Sequence, residues 1–138
     1  MKKKFLLTTI TLFFLSCSRD ENSSSSSSST TNTQTTTTSI KMNVVNAQNV
    51  PQSNVIVMMF KSKVTSSANL PAIEKQVTSD SNGLANFDLS TYITSDIPTT
   101  YYFEAFRQQG NNLVWVSTIH PEISIKKNTQ VTTSIIVN

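Results

Sequence analysis

Few side chains in this sequence could carry covalent or proton-transfer chemistry, and one of them stands apart. Cys17 is the only cysteine, and it follows an apolar stretch from Phe5 to Leu15 that opens with Lys2, Lys3 and Lys4. A charged start and a short apolar run read as an export signal, too short to cross a bilayer as a helix. The thiol is the strongest nucleophile among side chains and can be alkylated directly by a lipid donor. His120 is the only histidine and Pro121 follows it, so it is expected as a surface residue at a strand end rather than as a base or ligand. A serine triad would have to use that histidine, and no nucleophile-elbow pattern is present. The acids Glu74, Asp80, Asp88, Asp96, Glu104 and Glu122 are scattered, with no pair singled out for glycoside chemistry. Asp80-Ser81-Asn82-Gly83 lacks the further oxygen ligands and closing glutamate of a calcium loop, which leaves a turn with an Asx hydrogen bond. No catalytic residue, metal site or cofactor follows from these groups, and the chain reads as non-enzymatic.

The elements that must position any site follow from patterning. The chain has 138 residues and a formal charge of +3. Without Lys2, Lys3 and Lys4, eight basic residues face eight acidic ones, so there is no basic stripe for a phosphate backbone and no nucleic-acid partner is expected. One cysteine also excludes an internal disulfide and a cysteine-based zinc site. From Asn22 to Ser39 the chain is nearly all Ser, Thr, Asn and Gln. Such a stretch lacks the apolar area to offset its ordering entropy and reads as a disordered tether. It would reach about 60 Å fully extended and about 23 Å as a coil.

Residues 40–138 show period-two patterning and almost no helical periodicity. Ile40, Met42 and Val44 alternate with polar neighbours, and Val55 to Phe60 is apolar on both faces, as in a central strand. Ile73 to Thr78 and Leu84 to Leu89 flank Asp80–Gly83 and are expected to form a hairpin. Thr99 to Arg107 and Leu113 to Ile119 flank Gln108–Asn112 and form a second. Ile123 to Ile125 is a short strand, and Val131, Thr133, Ile135 and Val137 alternate near the C-terminus. Seven or eight short strands joined by turns predict an all-β, antiparallel two-sheet β-sandwich. The domain plan is therefore a signal over 1–16, a lipidated tether over 17–39 and a sandwich over 40–138.

Phe14-Leu15-Ser16-Cys17 resembles the bacterial lipobox, in which the cysteine is thioether-linked to diacylglycerol and becomes the first mature residue. The resemblance implies a lipoprotein attached to the outer membrane through Cys17; buried methylenes at about 0.8 kcal/mol each make a multi-chain anchor stable. The alternative is an ordinary signal peptide cut after Ser18, with Ser16 and Ser18 as its small residues. Ser18-Arg19-Asp20-Glu21 resembles the surface-export signal of Bacteroidota lipoproteins, which implies display at the cell surface; a charged, solvated tether is the alternative.

Val44-Val45-Asn46, Val50-Pro51-Gln52-Ser53-Asn54-Val55 and the run Thr78 to Phe87 are similar to the carboxypeptidase-regulatory-like and transthyretin-like sandwiches. That resemblance implies a non-catalytic accessory or display module. Other bacterial surface sandwiches cross-link a first-strand lysine to a last-strand asparagine beside a glutamate, and Lys41, Glu104 and Asn138 have those residue types.

The candidate ligand platform is the aromatic concentration of Tyr101, Tyr102, Phe103 and Phe106 with Trp115 on the neighbouring strand. Rings on both faces of that hairpin, with Asn and Gln nearby, suit a glycan or a surface protein as partner. Leu113, Trp115 and Ile119 share one strand face, so Trp115 is expected in the core, with Tyr101 or Tyr102 turned outward. Adhesion, assembly or scaffolding at the surface is the leading function, and glycan binding for a nutrient uptake system is the alternative.

Overall fold

The computed structural model describes residues 37–138. Eight strands form in order: β1 (Ser39–Val45), β2 (Ile56–Phe60), β3 (Ile73–Thr78), β4 (Leu84–Asp88), β5 (Thr99–Gln109), β6 (Asn112–Trp115), β7 (Glu122–Ile125) and β8 (Gln130–Ile136). They build two sheets, one of order β4-β1-β8 and one of order β3-β2-β5-β6, with β7 also paired to β5. This is the expected all-β sandwich, with one feature that patterning does not specify: β1 and β8 run parallel.

Alternation decides which residues meet between the sheets. Ile40, Met42, Val44, Phe87 and Ile135 from the three-stranded sheet face Val57, Met59, Phe103 and Ala105 from the five-stranded one, all essentially inaccessible. Phe87 and Phe103 meet edge to face across the gap, with ring centres 5.4 Å apart. The fold takes hold slightly before the expected start at residue 40. Thr38 is buried, its carbonyl accepts from Leu89 N–H at 2.8 Å, and its hydroxyl accepts from Asn128 N–H at 2.8 Å.

The Asp80–Gly83 turn forms as its residues dictate. Asp80 Oδ1 accepts from Asn82 and Leu84 N–H at 2.9 and 2.8 Å, and Gly83 holds a positive φ of 73°. The strands it joins, however, are not the expected hairpin: β3 belongs to the five-stranded sheet and β4 to the three-stranded one. Ser79 marks the divergence, exchanging backbone bonds with Asn54 and Val55, while Gly83 C=O accepts from Val44 N–H at 2.7 Å and so delivers β4 to β1. A Cβ on Gly83 would lie 2.7 Å from Val44 O, so the crossing needs glycine for closeness as well as for φ.

The second expected hairpin is present as β5–β6, closed more tightly than expected because Gln109 pairs with Asn112. Its second strand stops at Trp115 rather than running to Ile119. Val116 and Ser117 N–H both donate to Ala105 C=O, at 2.9 and 3.3 Å, and Ser117 Oγ accepts Ala105 N–H at 3.1 Å. A hydroxyl thus takes over a ladder bond, and the chain peels away.

Candidate functional site

The five-stranded sheet is apolar on both faces, which makes its outer face the place where chemistry collects. Met58 and Phe60 of β2 and Phe106 of β5 are buried there under Val64, with Ile56, Leu70, Tyr102 and Trp115 packed around them. Val64 and Leu70 come from the segment between β2 and β3, which folds back over the sheet. Into this cluster β5 inserts Glu104, 2% exposed.

A buried carboxyl group needs hydrogen-bond partners, because leaving its oxygens unsatisfied costs about 1 to 3 kcal/mol. Three partners are supplied by the chain just past the β5–β6 turn. Trp115 Nε1 donates to Glu104 Oε2 at 2.8 Å and Ser117 Oγ donates to the same oxygen at 2.5 Å. His120 Nδ1 lies 2.8 Å from Oε2 and 3.0 Å from Oε1. Trp115 stacks at 25° on Phe106, with centres 6.5 Å apart, and the imidazole of His120 meets its ring at 5.5 Å. The indole is therefore clamped between β5 and the His120 segment.

Trp115 and His120 form a ridge between two hollows. One, of about 630 Å³, is lined by Ser67, Leu113, Val114, Trp115, Ser117 and His120. The other, of about 320 Å³, is lined by Lys63, Val64, Glu104, Trp115, His120 and Glu122. The first is lined by no Lys, Arg, Asp or Glu. The second is edged by the ion pair of Lys63 and Glu122, and the Glu122 hydrogen bond holds the Lys63 ammonium above its ordinary pKa. Lys63 Nζ also sits 5.9 Å from the centre of the Tyr102 ring.

Ser117, Glu104 and His120 are the residue types of a hydrolase triad, but the connectivity differs. A triad runs from hydroxyl to imidazole to carboxyl, whereas here both the hydroxyl and the imidazole bond to the carboxyl. Ser117 is thereby fixed as a donor to Glu104 and is not activated by His120. The arrangement holds an indole and an imidazole in place at the surface. Among the described residues, no three His, Cys, Asp or Glu side chains gather as a metal site.

The structure redistributes the expected platform. Tyr101 is 5% exposed and belongs to the inter-sheet core, its ring 6.1 Å from Tyr92, so it is not outward. Tyr102 does lie on the outer face. Trp115 is half-buried on that face rather than in the inter-sheet core, while Leu113 and Ile119 are 39% and 50% exposed. The face that Leu113 and Trp115 share is the outer one; Val114 and Val116 point inward. His120 is at the surface as expected, its side chain 49% exposed, yet it is tied to Glu104. Lys41, Glu104 and Asn138 do not meet. Lys41 is exposed on β1 of the three-stranded sheet, Glu104 lies on the far face of the other sheet, and the sandwich core separates them, which rules out that cross-link. Cys17 and Ser18, Arg19, Asp20 and Glu21 lie outside the described residues.

Sequence singles out Glu104 only as the glutamate of the cross-link, not as a buried carboxyl group. The available signal was its setting, a lone acid inside Tyr101-Tyr102-Phe103-Glu104-Ala105-Phe106, which requires donors if both faces of that strand are covered.

No family model matches the chain, and no curated protein sequence matches it. Among solved structures it is similar to a Streptococcal ancillary pilin, at 15% identity and a TM-score of 0.49 over 76% of this chain and 33% of the pilin chain. It is also similar to the Bacillus anthracis TIE protein, at 12% identity and a TM-score of 0.41 over 73% of this chain and 16% of that one. This chain therefore spans a third or less of the solved chains it resembles, and likenesses of this size assign neither a family nor a function.

Proposed function

We propose that the chain is an outer-membrane lipoprotein exposed at the cell surface, whose sandwich is a non-catalytic binding domain for adhesion, assembly or scaffolding. The Trp115–His120 ridge is its contact surface. The observation that carries this reading is where the ridge lies relative to the entry of the tether. The chain enters the fold at Ser39, at one end of β1. Ser117 bridges to Val137 and Thr118 N–H donates to Ile136 C=O, next to Val45 at the other end. Seven residues of strand, about 20 Å, separate the two ends, so a domain tethered through Thr37 would hold the ridge away from its anchor.

A second reading, glycan binding in a nutrient uptake system, is favoured by the make-up of the larger hollow. It combines an aromatic edge, an imidazole and the hydroxyls of Ser67 and Ser117, a set suited to a neutral polyhydroxyl ligand.

Protease treatment of intact cells should remove the chain, and Cys17→Ala should release it from the membrane fraction. Trp115 is the only tryptophan, so its fluorescence reports on the ridge alone. Under the glycan reading, an oligosaccharide panel should contain a member that shifts this emission, and Leu113→Asp on the exposed wall should abolish the shift. Under the adhesion reading no neutral glycan acts, and Leu113→Asp instead removes attachment of cells that display the chain. Emission and attachment both unaffected by Leu113→Asp would remove the ridge from either function.

A further inference from the structure

Two open sheets present four edges, and three of them carry the devices that discourage further pairing. β4 has five residues, and at its end Lys75 Nζ donates to Asp88 C=O at 2.9 Å. β3 carries Glu74 and Lys75 and pairs with β2 through a register shift at Met59/Phe60. β6 and β7 are four residues each. β8 has none of these: it runs seven residues, Gln-Val-Thr-Thr-Ser-Ile-Ile, without charge, proline or glycine, in unbroken register with β1.

The hydrogen bonds at the two ends of the β1–β8 ladder determine which backbone groups are left over. Ser39 N–H donates to Thr129 C=O and Val137 N–H donates to Val45 C=O. In a parallel ladder the bonded residues alternate, so Val131, Thr133 and Ile135 turn their backbone groups toward β1, and Gln130, Thr132 and Ser134 turn theirs away. Further along, Ile136 C=O accepts from Thr118 N–H and Asn138 N–H donates to Val116 C=O, which closes that end. The open stretch is Gln130–Ser134, and the side chains of its three outward residues are exposed.

We propose that this stretch is an interface between two copies of the chain, β8 pairing antiparallel with its counterpart about a two-fold axis at Thr132. The register follows from parity and from the length of the open stretch, because among the even alignments only the centred one pairs all three outward residues. With Thr132 opposite itself, Gln130 falls opposite Ser134, every outward residue meets an outward residue, and each pair exchanges two backbone bonds. A register shifted by one residue would set outward groups against inward ones. Self-pairing also suits the composition, because an uncharged strand places no like charges opposite one another and brings Thr beside Thr. The occupant is therefore a second copy, an isologous contact that closes on itself and joins the two three-stranded sheets into one.

The test is sedimentation of the chain from residue 17 onward carrying Cys17→Ser, so that neither lipid nor a disulfide can associate it. A concentration-dependent dimer is expected. Thr132→Pro removes an outward N–H that no described strand uses, and should give a folded monomer with a cooperative thermal transition. Thr132→Lys keeps the N–H but sets two ammonium groups at the axis, and should weaken the dimer several-fold, less so at high salt. A parent that is monomeric at all concentrations overturns the proposal, as does a dimer that both variants leave intact. A monomer whose Thr132 and Ser134 amides become protected only when an unrelated extended peptide is added would reassign the edge to a foreign strand.

Discussion

The sandwich has two apolar clusters, and they are built by different means. Between the sheets, Phe87, Phe103 and their neighbours are sealed on both sides by paired strands. On the outer face of the five-stranded sheet, Met58, Phe60 and Phe106 are sealed by a loop and by half-buried Tyr102 and Trp115, and a carboxyl group is buried with them. The first cluster is closed by regular structure and has no polar requirement. The second is closed by the segment carrying Val64 and Leu70 and by Trp115, whose indole is tied to Glu104. Stability should therefore reside in the first cluster and adjustable surface in the second.

The sharpest way to break that contrast is to truncate one ring in each. Phe103→Ala should cost about 3 to 5 kcal/mol, because β strands on both sides prevent collapse around the cavity. Trp115→Ala should cost about 1 to 2 kcal/mol, since only part of its surface leaves water on folding. Denaturant titration of both variants checks the order, and equal losses would mean that the outer cluster is a second true core.

Glu104→Ala lies between these. It leaves the Ser117 hydroxyl without its acceptor and the Trp115 N–H with Ser117 Oγ alone, and removes a buried side chain, for an expected loss of about 2 to 3 kcal/mol. Glu104→Gln keeps an acceptor and the shape and should cost less. The distinctive readout is Trp115 emission, which should move to the red in Glu104→Ala as the indole loses its clamp, with near-ultraviolet circular dichroism of the inter-sheet tyrosines unchanged.

How much of this was legible in sequence depended on whether a face had one covering or two. Period-two alternation located the strands, and an Asn- and Gly-bearing loop located the β5–β6 hairpin. Alternation could not say which face of Leu113-Val114-Trp115-Val116 was the core, because both were apolar and the outer covering came from Val64 and Leu70, distant in the chain. The Asp80–Gly83 turn is legible as a turn but not as a crossing between sheets, for a related reason. Its local bonds are the same in both cases, and the divergence after Ser79 is decided by contacts with Gln52, Asn54 and Val44. The setting of Glu104 as a buried carboxyl group is not legible, because its partners Trp115, Ser117 and His120 sit beyond a hairpin and a bulge.

The smallest expected effect compares acid sensitivity at the rim. The Tyr92 hydroxyl donates to Glu74, and this bond, helped by Lys61 at 3.4 Å, holds the Glu74 carboxyl below its ordinary 4.5; burial and Glu74 push the Tyr92 hydroxyl up. A depressed folded-state value stabilises the fold above pH 4.5, and that contribution fades as pH falls through the folded value. Glu74→Gln should therefore lower the thermal midpoint slightly near neutrality, and the gap should close on acidification. A gap that widened in acid would contradict the assignment.

The place of β1 has a mechanical consequence. It is the central strand of its sheet, bonded to β4 on one side and β8 on the other, and it is the first strand that the chain enters from Thr37. A pull applied at Thr37 along the axis of β1 would load both ladders in shear. Their bonds must then yield together, whereas a pull across a terminal hairpin would open them one at a time. Held at the far end of β1 and hauled from Thr37, the domain would resist as a tensile link.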